Sequence, residues 1–288
     1  MRKLILTMIL VMILNILYSD NLTAYKIYTA EGVETDFSEM INKLVKADVI
    51  LFGELHDNPI AHWLELEVTK ALYEIAGENL ILGAEMFEAD NQLIIDEYLQ
   101  GLIKTNHFEE NIRLWNNYST DYKPLVEFAV EKKLYLVATN IPRRYAKKVA
   151  RGGFEALRTL SKEAKKYIAP LPIEYNGELA CYKKMISMSG MPGQMHADNL
   201  PRAQAIKDAT MAYFISRNIS RQGKFLHFNG RYHSDFQESI VWYLKKYAPE
   251  LMVMTIATTL NDTLTIPEED RNAADFIIVI PENMTRTY

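Results

Sequence analysis

Val49-Ile50-Leu51-Phe52-Gly53-Glu54-Leu55-His56-Asp57-Asn58-Pro59 is the stretch that decides the fold. Four apolar residues in a row, two of them β-branched, read as a strand buried on both faces, as in a parallel sheet. The strand runs straight into a glycine, an acid and a histidine. Asn58-Pro59 then reads as a helix N-cap followed by an N1 proline. The helix so opened places Ile60, Leu64, Val68, Leu72 and Ile75 three or four apart on a buried stripe, and Gly77 ends it. The unit is therefore strand, polar loop, helix, with the reactive side chains in the loop.

The same unit recurs. A strand over 80–85 ends in Glu85-Met86-Phe87-Glu88 and leads to a helix over 89–100 closed by Gly101. A strand over 134–138 ends in Thr139-Asn140-Ile141-Pro142-Arg143-Arg144, with a helix opening near Pro142. A strand over 224–229 ends in Asn229-Gly230-Arg231-Tyr232-His233 and leads to a helix from about Asp235 to Lys246. Two further strands are predicted at 251–257 and 276–280, a short strand and loop within 20–36, and helices over 37–46 and 123–133. Residues 105–123 form a polar stretch holding Trp115, Tyr118 and Tyr122. Such alternation implies parallel strands with right-handed crossovers. The fold class is α/β: a Rossmann-like, mostly parallel sheet flanked by helices.

Residues 153–200 break the rhythm. Ser161–Ile168 reads as a helix stopped by Pro170 and Pro172, and 178–196 brings four methionines (Met185, Met188, Met191, Met195), Tyr182 and His196 together with glycines. This insertion reads either as a helical cap with an adaptable methionine lining over the strand ends or as a packed surface excursion. Pro201 restarts a helix to about Ile219 that carries Gln204, Asp208, Met211 and Ile215 on one face.

The first residues read as an export signal: Arg2 and Lys3, an apolar run from Leu4 to Leu17, and Ser19 as the small residue before cleavage. The domains are then a signal peptide over 1–19 and one α/β domain over 20–288. The run is short for a membrane span. The expected place is the periplasm or envelope, without a lipid anchor, since no cysteine stands at the cleavage point. Cys181 is the sole cysteine, so the core and not a disulfide must hold the exported chain. A net charge of −5 with no basic tract gives no sign of nucleic-acid binding. The absence of a Gly-rich dinucleotide loop, a P-loop and a Gly-x-Ser-x-Gly elbow disfavours nucleotide binding and serine acyl transfer.

In an open parallel sheet the strand ends share one edge, where such folds bind ligands. Glu54, His56, Glu85 and His233 are thereby expected in one pocket, with Arg143 or His233 as the partner that a buried Glu85 requires. A carboxylate–imidazole cluster of this kind can activate a water or hold a divalent metal, or it can be an internal ion network with only structural duty. His62, one turn into its helix, faces either the pocket or a neighbouring helix. His227, inside a strand, reads as a core residue. Tyr232 lies beside Arg231, and tyrosine oxygen is a known ligand of ferric haem.

Five motifs together resemble the ChaN-like proteins: Gly53-Glu54-Leu55-His56-Asp57-Asn58 with His62 and Glu65; Glu85-Met86-Phe87 with Gln92; Asn140-Ile141-Pro142-Arg143; Gln204-Ala205-Ile206-Lys207-Asp208-Ala209-Thr210-Met211-Ala212; and Gly230-Arg231-Tyr232-His233. The likeness spans about 50–245. It implies a Rossmann-like fold with a helical cap, haem as cofactor, and a role in haem or iron acquisition with envelope transport partners. It also implies a homodimer around haem, with a tyrosine ligand at the subunit interface. Tyr182 and Tyr232 are the candidates for that ligand, and His62, Asn140, Arg143, Gln204 and Asp208 the expected pocket residues. Family members are typically lipoproteins, and this chain departs by lacking the acceptor cysteine. The Gly-Glu-x-His start also looks like that of erythromycin esterases and certain metal-dependent proteases. The alternative function is thus a hydrolase in which Glu54, His56, Glu85 and His233 hold a divalent metal or activate a water.

Overall fold

The computed structural model describes residues 22–188, 199–219 and 223–288. The proposed export signal and Met191, Met195 and His196 of the insertion lie outside them. Eight strands form one sheet: β1 Lys26–Thr29, β2 Glu34–Thr35, β3 Val49–Glu54, β4 Leu80–Glu88, β5 Tyr135–Asn140, β6 Lys224–Gly230, β7 Val253–Leu260 and β8 Phe276–Ile280, in the order β2-β1-β8-β7-β3-β6-β4-β5. From β8 to β5 every pairing is parallel, and β1 joins β8 and β2 antiparallel at one edge. The α/β, mostly parallel reading holds.

Alternation along β3 divides its residues between two layers. Ile50 and Phe52 face a core shared with α1 (Phe37–Leu44), α2 (Pro59–Ala76), α3 (Gln92–Leu99) and α5 (Lys123–Lys132); α4 (Thr105–Asn111) packs at its margin through Phe108. Val49 and Leu51 face the opposite core, built with α8 (Asn199–Asn218) and α9 (Ile240–Tyr247). α6 (Arg143–Gly152) packs its Ala146 and Val149 against Ile206 of α8. Asn58 caps α2 as expected: its side-chain oxygen accepts from the Ile60 and Ala61 amides at 3.0 Å, with Pro59 at N1.

Some boundaries move for identifiable reasons. Ile75 is 56% exposed, because the last turn of α2 runs beyond the layer that buries Leu72. The helix expected from Asp235 begins only at Ile240, since Phe236, Gln237 and Ser239 all take positive φ (59°, 55° and 51°), which a helix excludes. Over 161–168 only a 3₁₀ turn forms, Ala164–Tyr167. The other described residues of the insertion carry another 3₁₀ turn, Phe154–Thr159, and the helix α7, Ala180–Met188. Glu238 tethers α7 by accepting from the amides of Ala180 (3.0 Å) and Cys181 (2.7 Å).

Candidate functional site

Glu54 is the last residue of β3, level with Gly230 of β6, whereas Ala84 of β4 is level with Phe228. Glu85 therefore stands beside Asn229, one step behind Glu54. One step reverses the side of the sheet. The two carboxylates, which look equivalent in sequence, enter opposite layers.

On the first side Glu54 is buried. Its Oε1 meets His56 Nδ1 at 2.5 Å and accepts from Tyr122 Oη at 2.8 Å, while its Oε2 lies 3.0 Å from His62 Nδ1. His62, from the first turn of α2, also meets Glu65 Oε2 at 2.9 Å. Its Nε2 faces the His56 carbonyl at 3.2 Å and Asp121 Oδ2 at 3.5 Å. Asn117 steadies this edge by donating to Asp121 (2.6 Å) and to the His56 carbonyl (2.8 Å). Burial alone would drive Glu54 neutral, yet the two imidazoles outweigh it and hold its carboxyl down at about 2. Burial likewise opposes charge on His62, but Glu54 and Glu65 lift it to about 11. Glu65 is pushed well above the usual carboxylate range, first by burial and then by the negative charge of Glu54.

On the second side Glu85 accepts from the Gly230 amide at 2.9 Å and meets His233 Nε2 at 3.1 Å. His233 Nδ1 bonds to Asp208 of α8, whose other oxygen accepts from Tyr182 Oη at 2.8 Å. The Gln204 amide lies over the imidazole, 3.2 and 3.0 Å from its nitrogens. His233 is raised to about 9 because Glu85 and Asp208 overcome the burial that would discharge it. Glu85 is driven below the ordinary carboxylate range: burial opposes this, but His233 and then Lys207 prevail. The two sides meet at Gly230, where a Cβ would fall 2.6 Å from the His56 ring and 3.6 Å from Glu85. Glycine is what lets His56 reach across the strand end.

The structure thus brings Glu54, His56, Glu85 and His233 to one edge, with His62, Gln204 and Asp208 around them. Asn140 joins through its side chain, which donates to the Glu85 carbonyl at 2.9 Å. Three expectations need correction. Arg143 is not the partner of Glu85: it opens α6 half-exposed, its amide bonds Glu88 at 3.0 Å and its guanidinium lies 3.9 Å from the same carboxylate. Glu54, His56, Glu85 and His233 are not one metal-donor set, because β-strand alternation splits them. Among the described residues, the group whose donor atoms all lie within 4.8 Å of one another is Glu54, His62 and Glu65. Tyr182 is unsuited to bind iron, being fully buried with its hydroxyl committed to Asp208. Burial and the Asp208 charge push that phenol far above its usual range. Tyr232, by contrast, is 61% exposed, with Lys184 Nζ 5.7 Å and the Arg231 guanidinium 6.0 Å from its ring centre.

Sequence reasoning gave no site role to Glu65, Asn117, Asp121 or Tyr122. The last two sit in a π-helical turn, Tyr118–Tyr122, that buries adjacent residues together. Its signal was the aromatic cluster in an otherwise polar stretch, and π turns recur at functional sites.

These features define an α/β protein with a carboxylate–imidazole edge and an exposed tyrosine outside it. A family profile described as "Haem-binding uptake, Tiki superfamily, ChaN" matches residues 40–244, and the chain belongs to that family. Its fold is similar to the solved structure "Cofacial heme binding to ChaN of Campylobacter jejuni", with a TM-score of 0.68 and 19% identity over 89% of this chain and 96% of that one. Weaker likenesses are to an erythromycin esterase, EreC, in its open conformation (TM-score 0.49, 12% identity, 88% of this chain and 83% of that one) and to the type III effector HopBA1 (TM-score 0.46, 12% identity, 85% and 92%). No curated protein matches the chain.

Proposed function

We propose that this is a haem-binding protein of the cell envelope, exported through its first 19 residues and serving haem or iron acquisition. The observation that carries the reading, beside family membership, is Tyr232: an exposed phenol directly after the buried edge, with Lys184 above its ring. Tyrosine is an established axial ligand of ferric haem. Lys184 Nζ, 5.7 Å from the Tyr232 ring centre, is the cation placed to meet a propionate of haem bound there, while Arg231 lies behind the ring, bonded to Asp235 (2.7 Å) and Asp270 (2.5 and 3.1 Å). Haem held on an exposed side chain keeps one face open, which a second copy of the chain or an envelope transport partner would cover. Hemin added to the purified protein should give a saturable Soret shift in the parent and in Tyr182→Phe, and a much weaker one in Tyr232→Phe. Absence of a saturable shift in the parent would reject haem binding. An unchanged shift in Tyr232→Phe would reject only the ligand.

One arrangement favours a second reading, a water-activating hydrolase. His56 is oriented by buried Glu54 through Nδ1 while its side chain stays 38% exposed, the geometry of an imidazole general base. Turnover of ester, amide or phosphoester substrates that disappears in His56→Ala would support it. A parent protein inactive on all three would dismiss it.

A further inference from the structure

We propose that Glu54, His62 and Glu65 form a binding site for one first-row divalent cation, separate from the haem face. His62 Nδ1 carries at most one proton, yet two carboxylate oxygens face it, Glu65 Oε2 at 2.9 Å and Glu54 Oε2 at 3.0 Å. Of the two, only the contact with Glu65 has hydrogen-bond geometry. Glu54 Oε2 is left aimed at the imidazole with no hydrogen bond, and Glu65 Oε1 has none either. Both side chains are fully buried, where polar atoms are as a rule given a partner.

A cation removes the conflict. The other nitrogen of His62 faces the His56 carbonyl and Asp121, and a proton kept there leaves the Nδ1 lone pair directed at the two carboxylates. A carboxylate behind an imidazole is the usual way a ligating histidine is oriented. Spacing agrees as well. Metal–ligand bonds of about 2.0–2.2 Å set neighbouring donors roughly 3–3.5 Å apart, and Nδ1 stands 2.9 and 3.0 Å from the two oxygens. Charge agrees too: Glu54, Glu65 and Asp121 bring three carboxylates to an edge with two imidazoles, His56 and His62. One nitrogen with two carboxylates suits zinc(II) or manganese(II) better than calcium, which takes oxygen ligands only.

The test uses the full chain after chelator treatment, titrated with manganese(II) chloride while the EPR signal of the free ion is followed. One ion should bind per chain, zinc(II) should displace it, and pulsed EPR of the bound ion should show coupling to an imidazole nitrogen. Glu65→Gln and His62→Asn should each weaken binding at least about tenfold, whereas Tyr232→Phe should leave it unchanged. No saturable binding of either ion, a bound manganese without nitrogen coupling, or a folded Glu65→Gln that binds as tightly as the parent would each overturn the proposal. The nitrogen coupling is read on the parent protein, so the proposal can fail there even if neither variant folds.

Discussion

On one side of the sheet three carboxylates, Glu54, Glu65 and Asp121, meet two imidazoles, His56 and His62; on the other, two carboxylates, Glu85 and Asp208, grip the imidazole of His233. The second set is closed around His233, with only Asn140 Oδ1 at its margin buried without a hydrogen bond. Each oxygen of Glu85 and Asp208 has a donor, and Tyr182 ends the relay. The first set is open: Glu65 Oε1 and Asn117 Oδ1 are buried without a hydrogen bond, and Glu54 Oε2 has only its ion contact with His62, which His62 Nδ1 shares with Glu65. The same residue types therefore give a self-satisfied network on one side and a place with spare acceptors on the other. A buried network is costly to break once complete, while an incomplete one is better placed to take a ligand.

The largest expected effect comes from opening the closed side. Glu85→Ala leaves His233 without one of its two anions and the Gly230 amide without an acceptor, and should cost about 3–5 kcal/mol in denaturant unfolding. A cost near zero would show that the relay is not what holds this edge.

Acidity sharpens the comparison next. His227 is buried, with Nδ1 3.0 Å from Asn229 Oδ1 and Nε2 2.8 Å from the Thr139 hydroxyl, and burial lowers it to about 4. A base depressed on folding contributes stability that is whole above its unfolded value near 6.5 and is lost as pH falls toward 4. His233, raised to about 9, has the opposite sign: its contribution is whole below 6.5 and is lost as pH rises through 9. Each arm amounts to about 3 kcal/mol. Unfolding free energy should therefore peak near neutrality. A profile flat from pH 6.5 to 9 would contradict the grip on His233.

Tyr182→Phe, which removes one donor from buried Asp208, should cost about 1–3 kcal/mol without altering hemin binding; loss of both would return Tyr182 to the haem site. The smallest effect belongs to the open side. Glu65→Gln keeps the length of the side chain and an acceptor oxygen facing His62 Nδ1, so the ion-free network should lose little. In chelator-treated protein it should change stability by less than about 1 kcal/mol, and a larger loss would mean that the second Glu65 oxygen already holds the open side together without an ion.

Much of this was legible in the sequence because strand ends are marked by abrupt change. Val49–Phe52 passes into Glu54 and His56, Phe225–Phe228 into Gly230 and His233, and Asn58-Pro59 marks the start of α2. The side on which Glu85 lies was not legible. It depends on the register of β4 against β6, a long-range property, and one residue of offset sends it away from Glu54. Arg143 misled for a related reason: β4 runs on to Glu88, which reaches the start of α6 before Glu85 can. Asp121 and Tyr122 were hidden because a π turn has no periodic pattern to read. Tyr182 and Tyr232 looked alike as candidate ligands, and only burial separated them, one at 0% exposure and the other at 61%.

The claim that haem sits on the outer face, on Tyr232, and leaves both buried networks intact is tested most directly by resonance Raman spectroscopy of the hemin complex. Phenolate ring modes from a high-spin ferric centre are expected in the parent and in Glu85→Ala, and should disappear in Tyr232→Phe. A low-spin, histidine-ligated spectrum, which would point to His56 at the strand edge, or phenolate modes that persist in Tyr232→Phe, would contradict it.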